Sequence, residues 1–260
     1  MADRPDMARG EHLPKLRPGA RPPHPSWLPR QRRGTTPQMI GRYPDFDVLD
    51  AVGTWDEATK AVVLSRLDPP GPLRFFGSDE EPALRAFCDV VLAQDAEPRV
   101  PVAEMVDAKL ADGKLDGYRY ADMPSDPDTW RAVLAGLDHT ARAAYGDRFA
   151  DCTDERRENI VGELAQGRLV GGPWETLNVA RAWSVVMRAV LAEFYSHPWA
   201  WNEIGFGGPA YPRGYKAIGV DQRERWESQE VDARDPVPWA ERVEQARRAH
   251  AHSDGSPEEG

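Results

Sequence analysis

The chain has 260 residues, of which 40% are hydrophobic and nine are Trp, so it is long enough to bury one substantial core or two small ones. It carries 33 basic and 43 acidic side chains, a net charge of −10, although residues 1–42 taken alone are basic. An acidic body lacks the basic face that phosphate contacts require, which argues against nucleic acid as a partner.

The most apolar predicted helix has residues 182–187 as its longest uncharged stretch, far short of the roughly 20 apolar residues that span a bilayer. We therefore expect no direct membrane insertion. Arg32-Arg33-Gly34 has the basic start of a twin-arginine export signal, but no apolar region follows it. The sequence therefore predicts no signal peptide and a cytoplasmic chain.

Residues 1–42 are rich in Pro and Arg and lack apolar periodicity, so we expect a disordered arm. Two interpretations of this arm stay open. It is either a solvated tail, which we favour, or an electrostatic docking strand for an acidic partner.

Helical patterns follow in chain order. Thr54 with Glu57, and Ser78 with Glu81, have the spacing of a capping box, in which a hydroxyl and a carboxylate satisfy the free amides of a first turn. Between the predicted helices, residues 115–127 are expected to form a loop with a short strand or extended clip at 116–120. The apolar spacing predicts helices at 58–67, 78–95, 102–111, 129–145 and 153–167.

Pro173 is expected to open the longest helix, 174–196. Its apolar residues, Leu191 among them, cover most of the circumference, which is typical of a helix in the middle of a bundle. Pro198 disfavours helical geometry at His197 and ends the helix there. The polar residues of the helix 174–196 fall on one narrow stripe: Asn178, Arg181, Ser184 and Arg188. A turn or two at 199–204, a loop at 205–209 and a charged peripheral helix at 238–250 complete the prediction.

Strand signals are sparse, so the predicted fold class is all-α. We expect an irregular helical bundle with a long central helix and a loop-rich aromatic, Gly and Pro segment. The predicted divisions are the arm at 1–42, one helical domain at 43–217, and a peripheral C-terminal extension at 218–260.

The most informative segment is 194–215, which holds seven aromatic residues, three Pro and four Gly in 22 positions. This composition suits a rigid loop that presents flat apolar surfaces. Three sequences within it follow one another closely: Tyr195-Ser196-His197-Pro198, Trp201-Asn202-Glu203-Ile204-Gly205-Phe206-Gly207-Gly208-Pro209, and Tyr211-Pro212-Arg213-Gly214-Tyr215.

Together with the helix before them, these sequences resemble the signature of the gluconate 2-dehydrogenase subunit 3 family. The close resemblance covers residues 173–217, and a looser helical pattern extends it back to about residue 130. It implies a helical accessory subunit that helps a flavin-dependent catalytic subunit of the glucose-methanol-choline type to fold, mature or leave the cytoplasm. FAD is then expected in that partner, with no cofactor in this chain, and export is expected only in complex with the partner.

His197 is the only histidine inside the motif, and a histidine there could be a general base or a metal ligand. We favour a structural role, with the ring hydrogen-bonded to backbone where the helix stops. The other residues assigned to the structural motif are Pro198, Trp201, Ile204, Gly205, Gly208 and Pro209. Trp201 and Ile204, three positions apart, are expected to pack inward.

Arg213, framed by Pro212 and Gly214, is expected to reach outward to a partner carboxylate, with a salt bridge inside the chain as the open alternative. Prolines on both sides pre-order this loop, so its aromatic residues can bind at low entropic cost. The residues predicted to contact the partner are Tyr211, Arg213, Tyr215 and Phe206.

No catalytic, cofactor-binding or metal-binding residue is assigned. Glu193 and Glu203 form a chance pair in an acidic chain, and Gly205-Phe206-Gly207-Gly208 lacks the Lys and helix of a phosphate loop. Cys88 and Cys152 are expected to be free thiols, with a single disulfide between them as the alternative that sequence leaves open. The alternative to an accessory subunit is a stand-alone helical enzyme or small-ligand-binding module that uses an aromatic pocket around His197.

Overall fold

The computed structural model describes residues 46–68, 71–94, 99–115, 117–217, 219 and 222–228. Helices and loops account for all of these residues, which confirms the all-α prediction. The predicted arm at 1–42 and the predicted helix at 238–250 lie outside the described residues, and the predicted division into three segments stays a prediction. The α-helices are α1 Glu57–Ser65, α2 Glu81–Leu92, α3 Val102–Ala111, α4 Asp126–Tyr145, α5 Asp154–Ala165, α6 Val179–Phe194 and α7 Pro198–Ile204.

Short 3₁₀ helices precede α1, α5 and α6, at Val48–Thr54, Phe149–Asp151 and Gly172–Thr176. The first of them explains why the predicted capping box at Thr54 is wrong. Thr54 closes the 3₁₀ helix by donating from its hydroxyl to the Ala51 carbonyl at 2.6 Å. Asp56 caps α1 instead, accepting from the Thr59 amide at 2.8 Å.

The second predicted capping box, at Ser78, is also wrong. Helix α2 begins after Glu80, and no side chain caps it. The Glu80 carboxylate accepts from the Gly77 amide at 2.9 Å, so it reaches back to the turn before the helix. The helix ends at Leu92, before the predicted end near residue 95, because Ala93 takes a left-handed conformation with φ of 49°.

The predicted helix 174–196 is divided in two. Leu177 is extended, and Asn178 caps α6 by accepting from the Arg181 amide, so α6 begins at Val179. The 3₁₀ helix Gly172–Thr176 before it packs against α4, because the Trp174 indole lies against Gly136 and donates to the Thr140 hydroxyl at 2.9 Å. As a result α4, with 20 residues, is longer than α6, with 16.

Helix α4 also starts three residues before the predicted position at Thr129. Ser125 is its N-cap and accepts from the Asp128 amide. Pro127 falls in the first turn, where a missing amide hydrogen costs nothing because no helical acceptor exists for it. Pro127, which the sequence predicts to lie in the loop 115–127, therefore belongs to α4.

A main core of buried apolar side chains joins α2, α3, α4, α5 and α6. Trp130 is its largest fully buried side chain and meets the rings of Phe76 and Phe87 edge-on, with centroids 6.1 Å away in both cases. Helix α6 packs against α3, α4 and α5, as expected of a central helix. Its burial is incomplete, however, because Leu191 is 39% exposed.

The segment 117–122 forms no strand, and it contacts three of the four residues in the polar stripe of α6. Asp122 pairs with Arg181 and accepts from the Asn178 amide group at 3.3 Å. The guanidinium carbons of Arg181 and Arg188 lie 4.9 and 4.8 Å from the ring centroids of Tyr120 and Tyr118. The polar stripe therefore faces a loop of the same chain.

A second cluster of buried apolar side chains lies apart from the main core. It contains Val48, Leu49, Ala51, Val52, Trp55, Val63, Leu64 and Trp201. All of these residues except Trp201 come from the 3₁₀ helix Val48–Thr54, the residue that follows it, and α1. Trp201 belongs to α7, which makes that helix the joint between the two apolar regions.

Cys88 and Cys152 are both buried free thiols, as predicted. Burial raises the pKa of each thiol, so both are in the protonated, unreactive form. Among the helices of the described residues, none combines the length and the apolar character that a bilayer crossing requires.

Candidate functional site

The sequence Tyr195-Ser196-His197-Pro198 forms the corner between α6 and α7. His197 is the N-cap of α7, and its Nδ1 accepts from the Trp199 amide at 3.2 Å. Pro198 then occupies the first helical position, where it fits without strain. The motif therefore ends one helix and starts the next.

The His197 side chain is only 2% exposed. Burial lowers the pKa of His197 to about 4, and a hydrogen bond with the Arg66 backbone opposes this effect only in part. The imidazole is thus neutral at pH 7, with Nδ1 as an acceptor. A ring enclosed in this way has no surface on which to take a proton from a substrate.

Arg66, at the end of α1, ties that helix to the same corner. Its Nη1 donates to the Ser196 carbonyl at 2.6 Å, and its guanidinium carbon lies 5.7 Å from the ring centroid of Trp201. Burial lowers the pKa of Arg66, since the guanidinium is partly removed from water. This contact supplies a donor to a backbone carbonyl in the turn between α6 and α7.

Helix α7 fastens the second cluster to the main core. Trp201 is 5% exposed, and its indole donates to the Tyr195 carbonyl at 2.6 Å, whereas Ala200 beside it lies in the main core. The side-chain Oδ1 of Asn202 accepts from the Val48 amide at 2.8 Å. Consecutive residues of one short helix therefore contact both apolar regions.

Ile204 does not pack inward as expected, because it is 41% exposed at the last position of α7. Gly205 ends the helix in a left-handed conformation with φ of 67°, so α7 does not continue beyond Ile204. The Phe206 amide closes this end by donating to the Trp201 carbonyl at 2.9 Å. The Phe206 ring meets the Trp201 ring edge-on at 5.4 Å and stays 41% exposed.

Gly208 lies where a side chain cannot. It has φ of +75°, and an added Cβ would lie 2.6 Å from the Trp55 ring and 3.1 Å from a Val48 methyl. Gly207 is similarly close to Trp226, with 2.6 Å to that ring. The two glycines let the backbone pass between two tryptophans that are far apart in sequence.

Arg213 turns inward, in contrast to the outward reach expected from the sequence. Its Nη1 donates to the Thr54 hydroxyl at 2.8 Å and its Nη2 donates to the Gly207 carbonyl. The guanidinium carbon lies 3.6 Å from the ring centroid of Trp226 and 5.8 Å from that of Trp55. Arg213 therefore holds the loop after α7 against the second cluster.

Of the other predicted contact residues, Tyr211 is 68% and Tyr215 is 52% exposed. The Tyr215 ring meets Trp226 edge-on at 4.7 Å, so Tyr215 and Arg213 share one indole as a neighbour. Sequence reasoning missed Trp55 and Trp226. The paired glycines signal that something bulky approaches the backbone, but they do not identify it.

The described residues also form a cavity that no residue of the segment 194–215 lines. A cleft of about 660 Å³ between the end of α1 and α3 is lined by charges of both signs, and Glu193 at its edge pairs with Lys109 at 3.4 Å. His197 does not line it. A search of the described residues for three or more His, Cys, Asp or Glu that could hold a metal ion found none.

Comparison with known proteins identifies one family. The model of the family described as gluconate 2-dehydrogenase subunit 3 matches residues 78–208. This match begins well before the segment that carries the resemblance in sequence, and it ends before Tyr211. No curated protein and no solved structure matches the chain.

Proposed function

Because this chain belongs to the gluconate 2-dehydrogenase subunit 3 family, we propose that it is the small, non-catalytic subunit of a flavin-dependent sugar or alcohol dehydrogenase. Its role is to bind the catalytic subunit and to assist its folding, stability or export. The catalytic partner is of the glucose-methanol-choline type and carries the FAD. This chain supplies no cofactor of its own.

The observation that carries the proposal is how the motif uses its polar groups. The His197 ring accepts from the Trp199 amide, the Trp201 indole donates to the Tyr195 carbonyl, and Arg66 donates to the Ser196 carbonyl. These groups are committed to holding a helix corner. A motif of this kind organises a surface and leaves little for chemistry.

The surface next to this corner is suited to protein contact. Ile204, Phe206, Tyr211 and Tyr215 are between 41% and 68% exposed. Aromatic side chains on an ordered loop are typical anchors of protein interfaces, because they bury much area at small entropic cost. The proposed partner surface therefore includes all four contact residues predicted from sequence, which are Phe206, Tyr211, Arg213 and Tyr215.

The alternative, an enzyme or ligand-binding module built on a pocket around His197, has less support. The ring is 2% exposed and its pKa is about 4, so the neutral imidazole is enclosed by protein at neutral pH.

The proposed site of action is the cytoplasm, where the partner matures, with export of this chain only as part of the complex.

Co-expression tests this function. The full chain is produced with and without a flavoprotein of the glucose-methanol-choline type from the same genome, and the yield and the flavin absorbance of that flavoprotein are measured. We expect a stable complex and a higher yield of flavin-loaded partner when the chain is present. The isolated chain is expected to bind no FAD and to oxidise no sugar or alcohol. Stoichiometric FAD in the pure chain, or no complex with any such flavoprotein, would falsify the proposal.

A further inference from the structure

Arg213 is a partly buried cation that forms no ion pair with a carboxylate of the described residues. Its two hydrogen bonds go to neutral oxygens, those of Thr54 and Gly207, and its flat faces meet indole rings. Among the described residues, the ion pairs formed by arginine do not include Arg213. Burial lowers the pKa of Arg213, as expected where desolvation outweighs the attraction of nearby carboxylates.

Two buried donors at this place have no acceptor among the residues that the structure describes. They are the Nε of Arg213 and the indole Nε1 of Trp55, and Trp55 is only 3% exposed. The guanidinium carbon lies 5.8 Å from the Trp55 ring centroid, so these donors belong to neighbouring side chains. Unpaired buried N–H groups are costly, and each one calls for an acceptor that no described residue supplies.

The surroundings favour an anionic acceptor. Lys216, Arg223 and Arg225 are exposed near Arg213 in sequence. The carboxylates of the same segment are already engaged, because Glu224 accepts from the amides of Lys216 and Ala217 and Glu227 accepts from the Glu224 amide at 2.8 Å. Both carboxylates remain negatively charged and attract Arg213 at longer range, but their close hydrogen bonds go to backbone amides and not to the guanidinium.

We propose that Arg213, with Trp55 beside it, receives one aspartate or glutamate side chain of the catalytic partner. A carboxylate offers two oxygens to the planar fork of a guanidinium and can take a further hydrogen bond from an indole. This inference rests on the proposed function and specifies the chemistry of its interface. It explains why Arg213 lies turned towards the protein and yet lacks a counter-ion.

The exposed rings on either side of Arg213 complete the site. Tyr211 and Tyr215 flank Arg213 in the chain, and both are more than half exposed. When the partner covers them, water is excluded from the ion pair, which strengthens its attraction. A charged anchor surrounded by aromatic contacts is the usual composition of an interface hot spot.

The first test uses the free chain and acetate as the probe. In the nitrogen–proton NMR spectrum of the full chain, sodium acetate is expected to shift the Arg213 Nε and Trp55 indole signals saturably, while sodium chloride at equal ionic strength does not. The indoles of Trp174 and Trp201 are internal controls, because they already donate to Thr140 and Tyr195. Equal shifts of the Arg213 signal and all three indole signals, or no shift at Arg213 and Trp55, would overturn the proposal.

The second test uses the complex and forms a covalent bond at the site. Carbodiimide joins carboxylates to amines but not to guanidinium, so the Arg213→Lys variant makes the position reactive. We expect a cross-link between position 213 and an acidic residue of the partner, located by mass spectrometry, and none at position 213 in the wild type. Arg223→Lys is the matched control, since Arg223 donates to the Ser228 carbonyl within its own loop.

The two tests separate this inference from the function on which it rests. If the complex forms but position 213 gives no cross-link to the partner, the carboxylate site is wrong and the accessory role stands. If no flavoprotein complex forms at all, the proposed function fails. A water molecule as the native acceptor predicts no acetate shift and no cross-link, and therefore also overturns the inference.

Discussion

The main core and the second cluster differ in how they are held together. The main core joins five helices by burying many apolar side chains, and nearly all of it lies within the residues that match the family. The second cluster has eight buried side chains, and apart from Trp201 they all precede the matched residues. It depends on a few specific polar contacts to α7 and Arg213. A large apolar region tolerates local change, whereas a small region depends on individual residues.

The strongest way to test this difference is to remove one buried indole from each region. Trp130→Ala in the main core and Trp201→Ala in α7 should each lower the free energy of unfolding by about 3–5 kcal/mol, because each ring leaves a cavity. Chemical denaturation measures the loss, and amide hydrogen exchange measures its location.

We expect Trp130→Ala to raise exchange throughout α2 to α6. Trp201→Ala should raise exchange mainly in the 3₁₀ helix Val48–Thr54, α1 and α7. If each variant raises hydrogen exchange equally in both regions, the two regions unfold as one unit.

The corner histidine makes the joint between the regions sensitive to pH. The pKa of His197 is about 4 in the folded chain and 6.5 ordinarily, so the unfolded chain binds the proton more readily. Stability from this group is fully present above pH 6.5, falls as the pH drops towards 4, and amounts to about 3 kcal/mol.

The measurement for His197 is urea unfolding between pH 7 and pH 4, compared with His197→Asn. Asn can still cap α7 but does not titrate, so the variant should lose this part of the pH dependence. Identical pH profiles would show that His197 does not link protonation to folding.

A pair of glycines distinguishes close packing from backbone strain in the second cluster. Both Gly208 and Gly214 have positive φ, but an added Cβ would contact Trp55 only at Gly208, since Gly214 has open space around it. Gly208→Ala should therefore be less stable than Gly214→Ala by about 1–3 kcal/mol, the usual cost of overpacking. Thermal and urea unfolding of both variants give the difference, and equal losses would place the effect in the backbone alone.

The smallest effect on stability is expected where binding matters most. Tyr211→Ala should change the free energy of unfolding by less than about 0.5 kcal/mol, because the ring is 68% exposed. It should nevertheless reduce the yield of flavin-loaded partner in co-expression. Tyr145→Ala is the control, an exposed tyrosine at the end of α4 whose ring lies 4.7 Å from the Arg156 guanidinium carbon, and it should leave the yield of flavin-loaded partner unchanged. Normal maturation with Tyr211→Ala would mean that the partner binds another surface.

Local sequence signals predicted the elements that depend on neighbouring residues. The bounds predicted for α3 are those observed, since its apolar spacing and the turn at Gly113 lie within a few residues of each other. The break between α6 and α7 was equally predictable, because Pro198 restricts the conformation of His197 directly. The start of α6 was not, since the Trp174 ring is held by Gly136 and Thr140 of another helix.

By itself, the sequence determined the all-α class, most helices, the family, and the importance of the segment 194–215. Only the tertiary structure decided that His197 is enclosed, that Ile204 is exposed and that Arg213 turns inward. These outcomes depend on contacts such as the one between Arg213 and Thr54, which are 159 positions apart in the chain. Side-chain direction at the end of a helix follows from what packs against it, and no local pattern of residues specifies a neighbour at that separation.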